Sequence, residues 1–257
     1  MYAFLKEMII IAGKMAVDYQ NNLSTLDVTH KTLKDMVSEA DLAIEAFIIK
    51  TIAARYPDHA ILGEESGSHR GNTYRWIIDP IDGTTNFLHG LPHYGVSIAL
   101  EKEGVGILGA VNAPSLNALY MAEKGKGATL NGQPISVSNG SKLIESIVAS
   151  GFYCITLNKP HNNFENFVNI VPKIRGMRQH DSAVIELCYI ASGLIEGYWE
   201  MYLNLHDIAA AQIILKEAGG KITDYQGNPL KNEMFPELLA TNGHIHSQLS
   251  AELKSIN

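Results

Sequence analysis

A chain of 257 residues can bury one large core or two closely packed halves. With 46% apolar and 18% charged residues, it belongs with globular proteins and not with disordered ones. A formal net charge of −7 argues against a broad basic face for DNA or RNA, although local metal ions would still let a small anion bind.

Apolar residues at helical spacing from Tyr2 to Tyr19, with Leu5, Met8, Ile9, Ala12, Met15 and Ala16 on one face, predict an amphipathic first helix. Lys14 interrupts the apolar run from Met8 to Val17, and no small-residue cleavage pattern follows, so the run reads as neither signal peptide nor membrane span. Cytoplasmic location is the default expectation. A second helix is expected from Ser38 to Arg55, capped by the Ser-x-x-Asp pattern of Ser38 to Asp41 and ended by Pro57. Four short β-rich stretches follow, at Tyr74 to Ile78, Gly95 to Glu101, Val105 to Asn112 and Ala118 to Ala122, and read as consecutive antiparallel strands. Asn131-Gly132, between Ala128 to Leu130 and Ile135 to Val137, predicts a hairpin turn because the pair tolerates positive φ. From Ser146 the pattern alternates: a strand at Ile147 to Ser150, helices at Asn163 to Val171 and Ser182 to Ser192, a strand at Tyr198 to Leu203, and a helix from Asp207 to Ala218 closed by Gly219-Gly220. A soft boundary near Ser138 to Leu143 divides an α+β half, residues 1–138, from an α/β half, residues 139–257, and the two pack as one unit.

The chemistry concentrates in Trp76 to Gly90. A buried apolar strand delivers Asp79 to its end, Pro80 is expected to stop the ladder there, and Asp82 follows on the same corner. Two carboxylates held close repel unless a cation lies between them, and oxygen-only ligands, with the Ile81 carbonyl as a further donor, favour Mg²⁺. Gly83-Thr84-Thr85-Asn86 then offers the glycine and hydroxyls that suit an anion at a helix start. An isolated Asp-Pro-x-Asp-Gly also fits a solvated acidic turn; the buried lead-in and the hydroxyl-rich exit favour the metal reading. Glu64 and Glu65, after Ala60 to Leu62, taken alone read as a surface loop, and Asp207 taken alone reads as an N-cap. Cys154 and Cys188 lack CxxC pairing and read as buried thiols. His244 and His246 read as solvated, His89 and His93 as structural, and Tyr198-Trp199 as packing beside the active-site strand.

Together these residues resemble the inositol monophosphatases within the fructose-1,6-bisphosphatase-like superfamily. The resemblance rests on Ser38-Glu-Ala-Asp41, Gly63-Glu-Glu-Ser66, Trp76 to Gly90, Gly127-Ala-x-x-Asn-Gly132 with Ile135 to Ser138, Tyr198-Trp-Glu200, and Asp207-Ile-Ala-Ala-Ala with Glu217-Ala-Gly-Gly220. It implies a layered αβαβα sandwich of the α+β class, a homodimer, inhibition by lithium, and Mg²⁺-dependent hydrolysis of a small phosphorylated substrate, inositol monophosphate first among them, with no direct nucleic-acid or membrane partner. It further implies that Glu64, Asp79, the Ile81 carbonyl and Asp82 bind Mg²⁺, that Asp207 joins Asp79 and Asp82 at a second metal, and that Glu64 with Thr84 orients the attacking water. Asp41 would stand behind Thr84 and Glu64, the Gly83 and Thr84 amides would hold phosphate, and Glu200 would meet a substrate hydroxyl.

The chain departs from the family pattern at His206, where many members have Trp before the aspartate, and at Asp181-Ser182-Ala183, which puts an acid beside a cyclitol ring. A third departure, His30-Lys31 in place of a Lys, carries no role here. Sugar, histidinol and nucleotide phosphates remain alternative substrates. A regulatory role in transcription or RNA processing through protein contacts, as in some bacterial relatives, is the alternative from another class.

Overall fold

Helix α1 (Tyr2–Gln20) buries Leu5, Met8, Ile9, Ala12 and Ala16, the stripe its periodicity predicts. A short antiparallel ribbon, β1 (Val28–His30) with β2 (Met36–Ser38), leads into α2 (Glu39–Arg55), which packs on α1. The expected cap is present: Ser38 donates its amide (2.8 Å) and hydroxyl (2.5 Å) to Asp41 Oδ2. The computed structural model describes residues 1–30, 36–152, 162–230 and 234–254, so Lys31 and Cys154 lie outside the described residues.

The next strands are β3 (Ala60–Gly63), β4 (Gly67–His69) and β5 (Tyr74–Asp82), followed by a one-turn helix α3 (Thr84–Leu88). Then come β6 (Gly95–Lys102), β7 (Val105–Ala113), β8 (Ala118–Glu123), β9 (Ala128–Leu130) and β10 (Gln133–Ile135). They form one sheet of eight strands in the order β10-β9-β8-β7-β6-β5-β3-β4, antiparallel except for the β3–β5 pair. Both faces are covered, and successive residues serve opposite cores. Trp76 and Ile78 face α1 and α2, whereas Ile77 faces the other way, into the core shared with the second half.

The second half supplies β11 (Ile147–Ser150), α4 (Phe164–Ile170), β12 (Gly176–Arg178), α5 (Ala183–Ala191), β13 (Gly197–Glu200) and β14 (Leu203–Asn204). It ends with α6 (Ala209–Glu217), β15 (Lys221–Thr223), β16 (Met234–Phe235), β17 (Leu238–Thr241) and α7 (His246–Ser250). Five of these strands make a sheet in the order β12-β11-β13-β17-β15. Helices α5 and α6 fill the space between the two sheets, and α4 and α7 cover the outer face through Ile170, Trp199, Ile245 and Leu249. The layers therefore run αβαβα, as the resemblance implies.

Four local expectations are corrected. Strand β5 does not stop at Pro80; it continues to Asp82 through a register shift against β6 between Asp79 and Asp82, and a residue without N–H is tolerated at such a bulge. The hairpin turns on two residues, Asn131 (φ 51°) and Gly132 (φ 79°), so its return strand is Gln133–Ile135. The strand expected from Tyr198 to Leu203 breaks after Glu200, because Tyr202 takes φ 66°. His246 is buried, with Nδ1 2.9 Å from Thr241 Oγ1 and Nε2 3.0 Å from Thr223 Oγ1, and burial pushes its pKa down to about 4. Cys188 is a buried free thiol, as expected. Among the described residues no helix is long and apolar enough to cross a membrane.

Candidate active site

Strands β3 and β5 run parallel with Gly63 opposite Ile78, so Glu64 leaves its strand beside Asp79, and the Glu64 amide bonds the Ile78 carbonyl at 3.2 Å. Asp79 is buried and sits across from Ser97 on β6. One of its oxygens, Oδ1, has no hydrogen-bond partner among the described residues. Burial, and then the charges of Glu64, Asp82, Asp207 and Asp41, hold the Asp79 carboxyl well above the usual carboxylate range. Those five acids thus converge from β3, β5, α2 and the turn before α6.

Asp82 is held from the second half. The Ser182 hydroxyl and, at 3.1 Å, the Val184 amide both donate to Asp82 Oδ2. Burial raises its pKa to about 7; the Ser182 bond opposes the rise, and the Asp207 charge adds to it. Ser182, expected on the substrate loop, therefore has its hydroxyl on Asp82, while Ala183 is buried as the first residue of α5. Asp181 is exposed at φ 53° and takes a bond from Gln179 Nε2 at 3.0 Å.

Asp207 precedes α6 without capping it. Its Oδ2 accepts the Asn204 amide at 2.6 Å, and His206 Nε2 lies 3.1 Å from Oδ1. Burial alone would lower the His206 pKa, but its bond to Asp207 and the surrounding acids raise it. His206 thus meets the ligand candidate directly.

Gly83 turns the chain into α3 at φ 86°, and a Cβ there would meet the His93 carbonyl at 2.8 Å. Thr84 Oγ1 lies 3.0 Å from the Ile81 carbonyl and 3.4 Å from Asp41 Oδ1. Burial raises the Asp41 pKa against the opposing bonds from Ser38. Glu200 is buried beneath the Tyr198 hydroxyl, which donates to it, and a side chain at Gly151 would collide with its carboxyl. Burial first, then Asp207, Asp82, Asp181 and Glu186, push the Glu200 pKa well up.

Two residues escaped the sequence reading. Buried Glu45 accepts the amides of Glu65 (3.1 Å) and Ser66 (2.7 Å), fixing the turn that carries Glu64. An acid four residues after Asp41, inside the apolar stripe of Ile44 and Ile48, was its available signal. Asn86 donates through Nδ2 to the carbonyls of His93 (2.7 Å) and His180 (2.6 Å), tying α3 to the loop before α5.

The donor set suits a hard divalent cation, because it is all oxygen and includes the orphaned buried Asp79 Oδ1. Among the described residues, no three His, Cys, Asp or Glu side chains close into a finished ligand cluster. Asp82 leans instead on Ser182 and Val184, and Asp207 on Asn204 and His206.

This layered fold, with acids converging beside a glycine-hydroxyl turn, is that of a phosphoric monoester hydrolase. The model of the inositol monophosphatase family matches residues 1–257. An inositol-1-monophosphatase from Synechocystis is 42% identical over 85% of this chain and 77% of its own. A putative Nus factor SuhB from Neisseria meningitidis serogroup B is 39% identical over 84% of each chain. The crystal structure of the extragenic suppressor protein suhB from Bartonella henselae superposes with a TM-score of 0.92 at 33% identity, covering 98% of both chains. The chain belongs to the inositol monophosphatase family, which is generally metal-dependent, and it is a phosphatase acting on small phosphorylated molecules.

Proposed function

We propose that this chain hydrolyses inositol monophosphate in a Mg²⁺-dependent reaction with water as nucleophile, inhibited by Li⁺ and carried out by a homodimer. The observation that carries the reading is Asp79, whose buried Oδ1 lacks a hydrogen-bond partner among the described residues while four other acids act on it electrostatically. An oxygen in that position suits a cation better than water or a protein donor. Glu64, Asp79, the Ile81 carbonyl and Asp82 would hold one Mg²⁺, and Asp207 with Asp79 and Asp82 a second. Most ligands then come from residues 1–138, with Asp207 and the substrate-facing groups from residues 139–257. When bound, the metal supplies positive charge that lowers the pKa of water and stabilises the leaving oxygen.

The protein's own part is orientation. Thr84 directs its proton toward the Ile81 carbonyl or Asp41, which leaves its oxygen free to accept from the attacking water. Glu64 offers a second acceptor, so the water's lone pair points at phosphorus. The Gly83 and Thr84 amides, at the start of α3, would hold the phosphoryl oxygens. Glu200 would meet a hydroxyl of the leaving group, Asp181 would place an acid beside its ring, and Ser182 and Ala183 would shape that wall.

The test is phosphate release from inositol 1-phosphate, fructose 1,6-bisphosphate, histidinol phosphate and nucleotide phosphates, with and without Mg²⁺ and Li⁺. Inositol 1-phosphate should be the fastest, release should stop on chelation, and Li⁺ should inhibit. Unchanged release after chelation would overturn the mechanism; a faster rate on another member of the panel would overturn the substrate.

A further inference from the structure

Away from the candidate acidic site, a cavity of about 470 Å³ opens where α6 lies across the β6–β7 hairpin. None of Glu64, Asp79, Asp82, Asp207 or Glu200 lines it. Two glycines border it. Gly106 lets α6 approach, since a Cβ there would meet Ile213 at 2.7 Å, and Gly104 turns the hairpin at φ 75° with open space where a side chain would stand.

The walls have two characters. Val105, Leu205, Ile213 and Phe235 form an apolar side. Arg75, Glu101, Lys124, Lys216 and Glu217 supply the charge. Both acids are already engaged: Glu101 accepts Arg75 Nη2 at 2.8 Å and Nε at 3.1 Å, and Glu217 accepts the amides of Gly125 and Gly127, each at 2.9 Å. The lysines are not engaged in that way. Lys216 reaches only the neutral amide of Gln212, at 3.3 Å, and neither it nor Lys124 has a carboxylate partner among the described residues. The Lys216 residue is exposed overall, yet its ammonium is crowded enough that desolvation pushes its pKa down. An anion at this point would favour the charged form and oppose that downward push.

We infer that this cavity is a second binding site, for a small organic anion whose acidic group lies between Lys124 and Lys216 and whose apolar body rests on Val105, Ile213 and Phe235. The volume lies within the range of pockets that enclose small ligands, about 300–1,000 Å³. A concave apolar wall with a few convergent polar groups is the usual make-up of such a site. The charge assignment gives the selectivity: Glu101 is paired with Arg75 and Glu217 is tied to two backbone amides, which leaves Lys124 and Lys216 as the cations without a carboxylate partner among the described residues. The inference is independent of the proposed reaction.

The test uses the full chain with Mg²⁺ and two probes of equal shape, 4-phenylbutyrate and its uncharged amide, followed by calorimetric titration. The carboxylate should bind saturably at one site, and the amide about tenfold more weakly or worse, because it forfeits the charge-assisted contacts. The double variant Lys124→Gln/Lys216→Gln, altered only at exposed side chains, should keep its Tm and its phosphate release while losing about tenfold in carboxylate affinity. The inference is overturned by either of two results: no saturable binding up to about 10 mM, or equal binding of acid and amide. Unchanged affinity in the double variant would overturn it too. Should that variant fail to fold, the acid–amide comparison on the wild type still decides.

Discussion

Asp82 is held in conflict: the fold buries it among like charges and then fixes it with donors from the other half of the chain. Its pKa near 7 stands above the roughly 3.9 of a free aspartate, so at pH 7.5 the metal-free protein carries a charge that its surroundings resist. Asp82→Asn removes the charge and keeps an oxygen for Ser182 and Val184. The metal-free variant should melt about 2–4 °C above wild type at pH 7.5, the equivalent of about 1 kcal/mol in a chain of this size. Its Mg²⁺-dependent phosphate release should fall by about a hundredfold or more. Melting scans and initial rates on one preparation check both; full activity with an unchanged Tm would remove Asp82 from the site. Glu45 gives a second test, because it touches no substrate and acts through the Glu64 turn. Glu45→Ala strands the Glu65 and Ser66 amides and should lower stability by about 1–3 kcal/mol, with a drop in kcat. Glu45→Gln retains one acceptor and should recover part of both, read by urea denaturation and steady-state kinetics.

Among the elements, the join between β5 and α3 depends on backbone more than on side chains. Gly83 combines φ 86° with a carbonyl 2.8 Å from where a Cβ would be, whereas Gly90, at φ 71°, would meet only Leu23 Cδ1 at 3.9 Å. Gly90→Ala should therefore lose about 1–2 kcal/mol from its left-handed backbone and keep its activity. Gly83→Ala should lose more and also forfeit activity, since the clash with His93 displaces Thr84. Equal activity in the two variants would count against a site at this turn. The same join marks how far the sequence could be read. Trp76 to Thr84 stood out because an apolar run ending in two aspartates and a glycine is unusual, and helices α1, α2, α5 and α6 were legible from their periodicity. The bulge at Pro80 was hidden because a proline is equally at home where a ladder stops and where it slips by one residue. The break after Glu200 depends on positive φ at Tyr202, a conformation no tyrosine advertises. Asp207 and Glu64 were candidates only through family likeness, since the contacts that bring them to Asp79 span the whole fold. The Ser182–Asp82 bond, across 100 residues, had no local signature at all.

For the molecule as a whole, the proposed metal site implies that the buried acids cost stability while they stand without a cation. The carboxyls of Asp79, Asp82 and Glu200 all have folded pKa values raised by burial. A raised carboxyl means that the native state holds more protons than the unfolded chain between the two pKa values, so stability falls as pH rises through that interval. For Asp82 the interval runs from about 4, the unfolded value, to about 7. Through Asp82 the metal-free protein should consequently lose Tm from pH 5 onward, most steeply midway between the two values and less steeply as pH passes about 7. A divalent cation competes with protons for the same oxygens, so its stabilisation should grow as the protons leave. At a concentration about 100 times its Kd it should contribute about 2.7 kcal/mol. The Tm increment from Mg²⁺ should therefore be small at pH 5 and largest at pH 7.5 and above, and Asp82→Asn should flatten its pH dependence. Melting curves with Mg²⁺ or with a chelator across that range provide the measurement. An increment that did not vary with pH would mean that the ion binds elsewhere than among these carboxylates.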